Sequence, residues 1–203
     1  MVGYAPLTHP TAPHSTMNRL PDQLQHHLRL IFVGTAAGQR SADLAHYYAH
    51  PGNRFWRTIH KVGIIPRRYQ PHEFPSLLER RIGFTDMCKS GAGMDHQALT
   101  SPIDRPAFYE KMLQYRPEKV AFTSKKAASL FYGRPTKAIA LGRQPAEGDF
   151  PTVFVLGLAS RRRIGSQVCA AVAGTGGFDE THLRVARKPD ERGIIRPFGT
   201  SCP

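Results

Sequence analysis

Short apolar runs alternate with helical segments along the middle of the chain. The run LRLIFVG at residues 28–34 stops at a glycine, and later runs lie at residues 82–90, at 120–123 and in the stretches KAIALG and PTVFVLG. Segments with apolar residues at helical spacing, such as NRFWRTIHKV, separate them. Strands that alternate with helices in this way predict a mainly parallel sheet with both faces covered. We therefore expect an α/β fold, a three-layer α/β/α sandwich.

Both ends of the chain lack this periodicity. Residues 1–27 are rich in Pro, Thr and His at their start, which predicts a disordered leader followed by a helical turn. Residues 164–203 combine many glycines with mixed charges and predict an irregular basic tail. The residues between these two ends, 28–163, are predicted to form one domain, and their number is usual for a domain with a single hydrophobic core.

The charge of the chain points to a polyanionic partner. Its formal net charge is +13. A surplus of this size favours nucleic acid, because phosphates that pair with cationic side chains release condensed counterions. A basic surface that is merely solvated is the alternative.

The cysteines and the hydropathy limit which kinds of site and which cellular compartment are expected. The three cysteines are far apart and form no C-x-x-C pair, which argues against a disulfide framework and against a zinc site. The histidine spacings fit no standard metal site either. No apolar run approaches the ~18 residues of a membrane span. We expect a cytoplasmic, monomeric protein that does not engage a membrane.

A loop of small residues is predicted after the first strand. The stretch GTAAGQRS, residues 34–41, has glycines at both ends of a pair of alanines. Small side chains let a ligand approach the backbone and leave N–H groups available to an anion. The stretch is neither a P-loop nor a G-x-G-x-x-G motif. A tight turn between strand and helix is the alternative.

Aromatic residues cluster just beyond that loop, in HYYAHPGNRFW. Tyr47 and Tyr48 offer faces on which a base could stack, and Asn53 offers a donor and an acceptor for a pyrimidine edge. Phe55 and Trp56 lie at helical spacing and are predicted to fill the core. Capping of the following helix is the alternative role for Asn53.

The last predicted strand runs into GLASRRR. An exposed Leu158 with Ser160, Arg161 and Arg162 beside it would suit an apolar wedge in a duplex with cations on nearby phosphates. In the alternative, Leu158 simply ends the strand and the arginines are solvated. Asp86 and Asp95 are possible general bases, although a carboxylate after a strand is more often a turn or cap residue.

The stretches GTAAG…S…YYAHPGNRFW, IGFTD, KKAASLFYGRPT…GRQP and VFVLG together resemble the uracil-DNA glycosylase superfamily. The likeness covers residues 28–163 and is nearest to the mismatch-specific uracil/thymine branch, with the hypoxanthine branch next. It implies a three-layer α/β/α fold and a monofunctional enzyme of base excision repair. Such an enzyme flips a uracil or another deaminated or mispaired base out of DNA and hydrolyses its N-glycosidic bond. It implies no metal and no cofactor.

The resemblance also implies substrate-binding positions. Gly34 and Gly38 fall in the loop whose backbone meets the base. Tyr48 falls where the family stacks an aromatic ring, and Ser41 falls where it places a hydroxyl near the pocket.

Two departures from the family pattern bear on catalysis. The mismatch-specific branch has an asparagine that positions the attacking water at the place of Ala36, beside Thr35. With alanine there, Asn53 is the substitute contact to water or base, and Asn53→Ala is expected to slow excision about 100-fold. The final loop is also shorter than in the family, since it runs directly from Leu156 into GLASRRR. Weak activity is expected on both grounds.

Two other functions stay open at this stage. A catalytically degenerate DNA-binding protein of the same fold would account for Ala36 and the short loop. A small-molecule α/β enzyme would use the same strand ends without needing the basic charge, and it predicts no salt-sensitive binding to DNA.

Overall fold

The structure, a computed structural model, describes residues 20–92 and 105–158. Helices and strands alternate along most of this part. In chain order they are β1 (Leu30–Ala37), α1 (Gln39–Leu44), α2 (Phe55–Lys61), a 3₁₀ helix (Pro71–Leu78), β2 (Ile82–Ala92), α3 (Arg105–Tyr115), β3 (Lys119–Phe122), α4 (Lys125–Tyr132), a second 3₁₀ helix (Thr136–Ala138), β4 (Gly142–Arg143) and β5 (Thr152–Val155).

The strands form one mostly parallel sheet in the order β2-β1-β3-β5-β4. β1 is parallel to both β2 and β3, and only β4 runs antiparallel to its neighbour within the described part. The predicted α/β fold with a mainly parallel sheet is thus confirmed. The chain leaves β1 for β2 on one side and reaches β3 on the other, so the strand order reverses between β1 and β3. Ligands of open α/β sheets bind at such a reversal, outside the carboxyl ends of the strands.

Two hydrophobic clusters cover the two faces of the sheet. Successive side chains of a strand point to opposite faces. Phe32 of β1 accordingly packs with Phe55 and Trp56 of α2, whereas Ile31 packs on the other side with residues of α3 and α4. The predicted core positions Phe55 and Trp56 are confirmed, with 1% and 3% exposure. The fold therefore has the expected three layers.

The first strand is longer than the sequence predicted. β1 continues through Ala37, so the first half of the predicted loop at residues 34–41 is strand, and α1 begins directly after Gly38. Pairing with β2 explains the extension, because Gly34 lies opposite Asp86 and Ala36 opposite Cys88. β3 pairs with β1 only as far as Val33. The end of β1 therefore has a neighbouring strand on one edge only among the described residues.

Two further segments differ from their predicted form. Residues 20–27 do not make a helical turn, because the backbone of Gln23 exchanges two hydrogen bonds with Phe84 at 2.9 and 3.0 Å. The stretch KAIALG forms a 3₁₀ turn over Thr136–Ala138 and reaches a strand only at Gly142–Arg143. The predicted disordered leader before residue 20 and the predicted tail at 164–203 lie outside the described residues.

Candidate active site

A pocket of about 870 Å³ opens at the carboxyl end of the sheet, where the strand order reverses. The end of β1, the start of α1 and the aromatic loop before α2 form one side of it. Thr123, Ser124 and Leu158, which follow β3 and β5, lie on the other side. The place agrees with the general position of ligand sites in open α/β sheets.

Asp86 is the buried charge of this pocket. It lies within β2 and is 5% exposed, so it is neither the turn nor the cap residue that the sequence favoured. A Cβ atom on Gly34 would overlap the Oδ1 atom of Asp86, and the buried Oδ2 atom of Asp86 has no hydrogen-bond partner among the described residues. Burial raises the pKa of Asp86 to about 6, although the positive charge of Lys89 opposes the shift. A carboxyl group that titrates near neutrality therefore faces the ligand space.

Lys89 lies beside Asp86 but is engaged elsewhere. Its ammonium is 2.7 Å from Asp22 Oδ1 and donates hydrogen bonds to Leu20 O at 3.0 Å and Tyr47 Oη at 3.1 Å. The distance from Lys89 Nζ to Asp86 Oδ2 is 3.7 Å, too long for a hydrogen bond. Asp22 is thus the main partner of Lys89.

An aromatic stack forms one wall of the pocket. The rings of Tyr48 and Phe55 are stacked with centroids 3.8 Å apart and planes 17° apart. Tyr48 is half-buried and lines the pocket. Its stacking on a base stays a prediction. Tyr47 is only 1% exposed and stacks on Phe84 in the core, so it does not offer a free face. The hypothesis of two stacking tyrosines therefore reduces to Tyr48.

Tyr48 is held in an unusual backbone conformation. Its φ of 55° lies in the left-handed region, which costs a residue with a side chain on the order of 1 kcal/mol. Neighbouring hydrogen bonds fix the loop, since Ala49 N donates to Ser41 Oγ at 3.0 Å and Trp56 Nε1 donates to Tyr47 O at 3.2 Å. Ser41 lines the pocket as predicted, and its hydroxyl also fixes the loop that carries Tyr48.

Asn53 lies at the rim of the pocket and caps α2. Its Oδ1 atom accepts a hydrogen bond from Phe55 N at 2.9 Å. The structure thus bears out the capping alternative, and the exposed side chain also lines the pocket. Its role in catalysis stays a prediction.

The predicted first motif also borders the pocket. Gly34, Thr35, Ala36 and Gly38 all line it. Ala36 places a methyl group where the resemblance implies an asparagine, so it supplies no polar atom for a water. A Cβ on Gly38 would meet nothing within 4 Å, in contrast to Gly34. Only Gly34 of the two glycines is required by packing.

Cations stand at the mouth of the pocket. Arg40 of α1 is exposed and Arg54 is half-buried, and both line the opening. Guanidinium groups at such positions suit phosphate oxygens. Over residues 20–92 and 105–158 no cluster of three or more His, Cys, Asp or Glu side chains has the arrangement of a metal site. No helix in the same ranges is long and apolar enough to cross a membrane.

The family model of the Uracil DNA glycosylase superfamily matches residues 21–171, more than half of the chain. The chain belongs to the uracil DNA glycosylase superfamily. The match begins close to Asp22 and includes every element of the sheet. Membership suggests DNA glycosylase activity on uracil-type lesions, with DNA as the substrate.

The final loop, which the sequence predicted to contact DNA, is described only as far as Leu158. Leu158 is 7% exposed, packs in the core cluster that holds Phe55, and lines the pocket. The exposure that a wedge requires is therefore absent at Leu158. Leu158 does not end the last strand either, because β5 ends at Val155. Ser160, Arg161 and Arg162, like Asp95, lie outside the described residues.

The position of Asp86 on β2 is unusual for a charged residue. The sequence carries a signal of this position, because Ile82, Phe84 and Asp86 alternate along one face of β2 and the first two are fully buried. A carboxylate at the third position is a polar group where the pattern demands an apolar one. Its pairing with Gly34 across two strands carried no signal in the sequence.

Proposed function

We propose that this protein is a monofunctional DNA glycosylase that removes uracil and related deaminated or mispaired bases by hydrolysis of the N-glycosidic bond. One observation supports the proposal above the others: in a member of this superfamily, the pocket at the strand reversal combines the Tyr48–Phe55 stack with the buried Asp86. An extruded base needs an aromatic surface for its face and fixed polar groups for its edge.

The dimensions and the charge of the site suit an extruded nucleotide. A volume of about 870 Å³ lies within the range of small-ligand pockets and leaves room for a base with its sugar. Arg40 and Arg54 at the mouth would meet the phosphates on either side of the flipped nucleotide. The net charge of +13 favours the same partner.

The chemistry requires that two opposite charges be stabilised. As the bond from C1′ to the base breaks, the sugar becomes positive and the leaving base becomes negative. Backbone N–H groups at the end of β1, near Gly34 and Gly38, would stabilise the base, and the phosphates of DNA would stabilise the sugar. Uracil leaves more readily than thymine, so we expect uracil to be excised faster than mispaired thymine.

The remaining site assignments belong to the same proposal. Thr35 and Asn53 are candidate polar contacts near the reacting centre, with Ala36 at the position of the family asparagine. Ser160, Arg161 and Arg162 are candidate DNA contacts beyond β5. Leu158, from inside the pocket, would meet the base or sugar rather than the base stack of the duplex.

A second function has one observation in its favour. Ala36 offers no side-chain atom that could orient a water, which is what a DNA-binding protein that has lost its chemistry would show. Such a protein would bind DNA with steep salt dependence and leave every base in place.

Single-turnover assays separate the two functions. Labelled duplexes with a G·U pair, a hypoxanthine or a G·T mismatch are incubated with the wild type and with Ala36→Asn, and alkali reveals the abasic sites. The proposal predicts cleavage by the wild type at uracil, slower cleavage at G·T, and a faster rate with Ala36→Asn. Salt-sensitive binding by both proteins without any cleavage would instead establish the binding function.

A further inference from the structure

The amino ends of the strands, at the opposite end of the sheet from the pocket, carry a group of cations. Arg29 precedes β1, Arg81 precedes β2, and Lys119 begins β3. Because β1 lies between β2 and β3, the three residues are neighbours across the sheet. Arg29 N donates to Arg81 O at 2.9 Å, and Glu118 N donates to Leu28 O at 2.9 Å. We call this group the basic end of the sheet; it consists of Arg29, Arg80, Arg81, Arg116 and Lys119.

Arg80 and Arg116 bring the group to the surface. Both are exposed, and Arg80 directly precedes Arg81 in the chain. Arg116 follows Tyr115, whose ring centroid lies 5.3 Å from that of His26 in the segment before β1. The basic end therefore extends across the entries to three adjacent strands.

Carboxylates offset these charges only in part. Arg81 Nη2 lies 2.8 Å from Glu118 Oε1. Burial, followed by the charge of Arg81, lowers the pKa of Arg29, and Glu118 only opposes this effect. Even when Glu79, which adjoins Arg80 in the chain, and Asp149, which lies before β5, are counted with Glu118, the cations remain in excess. The surface keeps a net positive charge.

Three positions at this end have a backbone conformation that favours glycine. The angle φ is 61° at His27, 58° at Arg81 and 44° at Arg116. In residues 20–92 and 105–158 the other non-glycine residues with positive φ are Ala45 and Tyr48, in the loop that borders the pocket. This conformation strains a residue that has a side chain, and such strain clusters at functional sites. Basic side chains thus occupy turns where glycine would be more stable.

The composition of the surface favours nucleic acid over a protein partner. Stable protein interfaces contain an apolar core. In the described part of the chain Leu44 is the only large apolar residue with high exposure, and it lies in α1 rather than at the basic end. Interfaces with nucleic acid are more polar and more positively charged, and guanidinium groups suit phosphate oxygens.

From this geometry we propose that the basic end of the sheet binds the phosphate backbone of a second DNA segment while the pocket end binds the first. The eight residues of β1 separate the two ends by about 25 Å, so DNA that places a nucleotide in the pocket lies at the far end of the sheet from the second surface. A protein with two such surfaces can pass from one DNA segment to another without first dissociating. The inference goes beyond the proposed function, because it concerns binding and requires no excision.

The test counts the duplexes that one protein molecule binds. Short undamaged duplexes, in excess over the wild-type chain, are analysed by sedimentation velocity at several salt concentrations. We expect complexes of one protein with two duplexes, and the second duplex should dissociate as salt rises. The double variant Arg80→Glu/Arg116→Glu should weaken binding of the second duplex by about tenfold or more. Its single-turnover excision from a G·U duplex should equal that of the wild type.

Two further variants make the result specific. Lys137→Glu/Arg143→Glu is the matched control, because it changes the net charge equally at two exposed residues outside the pocket and the basic end. It should bind the second duplex as the wild type does. Arg116→Gly keeps the test decisive if the charge-reversed variant does not fold. Glycine relieves the positive φ, so Tm should be unchanged or higher, while the slope of log affinity for the second duplex against log salt should fall by about 1.

Three results would overturn the inference. Saturation at one duplex per protein, or a second duplex found only in complexes of two proteins, removes the second surface. Equal weakening in the control variant assigns the second duplex to overall charge. Tighter binding of duplex RNA than of duplex DNA at the basic end assigns the surface to RNA. Two bound duplexes without any excision would refute the proposed function and support this inference.

Discussion

The Oδ1 atom of Asp86 lies so close to Gly34 that a Cβ atom at Gly34 would overlap it. The two residues are paired across the parallel strands β1 and β2, so backbone register creates the contact. A glycine on β1 thus makes room for a buried carboxyl group on β2. Gly34 and Asp86 both line the pocket, and Asp86 is a buried polar group in its wall.

Gly34→Ala should destabilise the folded protein by disturbing the contact between Gly34 and Asp86. The new methyl group would overlap Asp86 Oδ1, so we expect a loss of about 1–3 kcal/mol in the free energy of unfolding, measured by urea titration. Gly38→Ala is the matched control, since its Cβ would meet no atom within 4 Å and should change that free energy by less than ~0.5 kcal/mol. Asp86→Ala in the same chain should restore part of the loss through coupling. Equal effects of the two glycine substitutions would contradict the contact.

Asp86→Asn should stabilise the folded protein above neutral pH. The pKa of Asp86 is raised from its ordinary 3.8 to about 6, so the folded state binds the proton more tightly than the unfolded state. The stability that this proton contributes is complete below pH ~4 and is lost as the pH rises through 6, by about 3 kcal/mol in all. The variant avoids that loss. Thermal unfolding at pH 5 and pH 8 checks this, and an equal Tm difference between wild type and variant at both values would contradict it.

Tyr48→Phe and Tyr48→Leu should separate the ring from the hydroxyl. The hydroxyl is buried without a hydrogen-bond partner, so Tyr48→Phe should leave excision intact and stability unchanged or higher. Tyr48→Leu removes the ring that stacks on Phe55 and that, in the proposed function, would stack on the base. Base stacking on an aromatic ring contributes about 1–3 kcal/mol, so the substitution should slow excision about 10–100-fold. Rates are compared under single-turnover conditions. Similar rates for both variants would exclude stacking.

Asn53→Asp and Asn53→Ala distinguish capping from contact with the substrate. Asp keeps the oxygen that accepts from Phe55 N, whereas Ala loses it at a cost of about 1 kcal/mol in stability. Both variants lose the amide donor. If Asn53 contacts base or water, both should slow excision about 100-fold, with only Asn53→Ala lowering the Tm. Wild-type excision by Asn53→Asp would restrict the residue to capping.

Arg40→Ala and Arg54→Ala should weaken DNA binding through phosphate contacts. Each substitution should lower the slope of log affinity against log salt by about 1, without changing the preference among bases. Lys137→Ala serves as the control, because this exposed lysine does not line the pocket. Fluorescence anisotropy over a salt series measures the slopes. Slopes that match the control would exclude the two arginines from the interface.

Much of the fold could be predicted because the sequence patterns that indicate its strands and helices are local. The apolar run of β1 and the helical spacing of Phe55, Trp56 and Ile59 are each visible within ten residues, and burial bears them out. The prediction of a full strand for KAIALG was wrong, since β4 pairs with its neighbour over only two residues. An apolar run alone does not show whether a partner strand lies beside it.

The site was only partly predictable, since its decisive contacts are long-range. Tyr48 and Ser41 lie close in sequence and were found together. The pairing of Gly34 with Asp86 depends on strand register, and the engagement of Lys89 depends on Asp22, which is 67 positions away in the chain (89 − 22). Neither relation leaves a local pattern. The buried position of the Asp86 carboxyl group in the pocket is therefore apparent only from the structure.

The most direct measurement is the release of free base from a duplex with one G·U pair, quantified by mass spectrometry in a single turnover of the wild-type protein. The account predicts that free uracil and abasic strand form in equal amounts, with the same rate constant. DNA that is bound in a salt-sensitive manner, with its uracil still attached after prolonged incubation at pH 6, would contradict it.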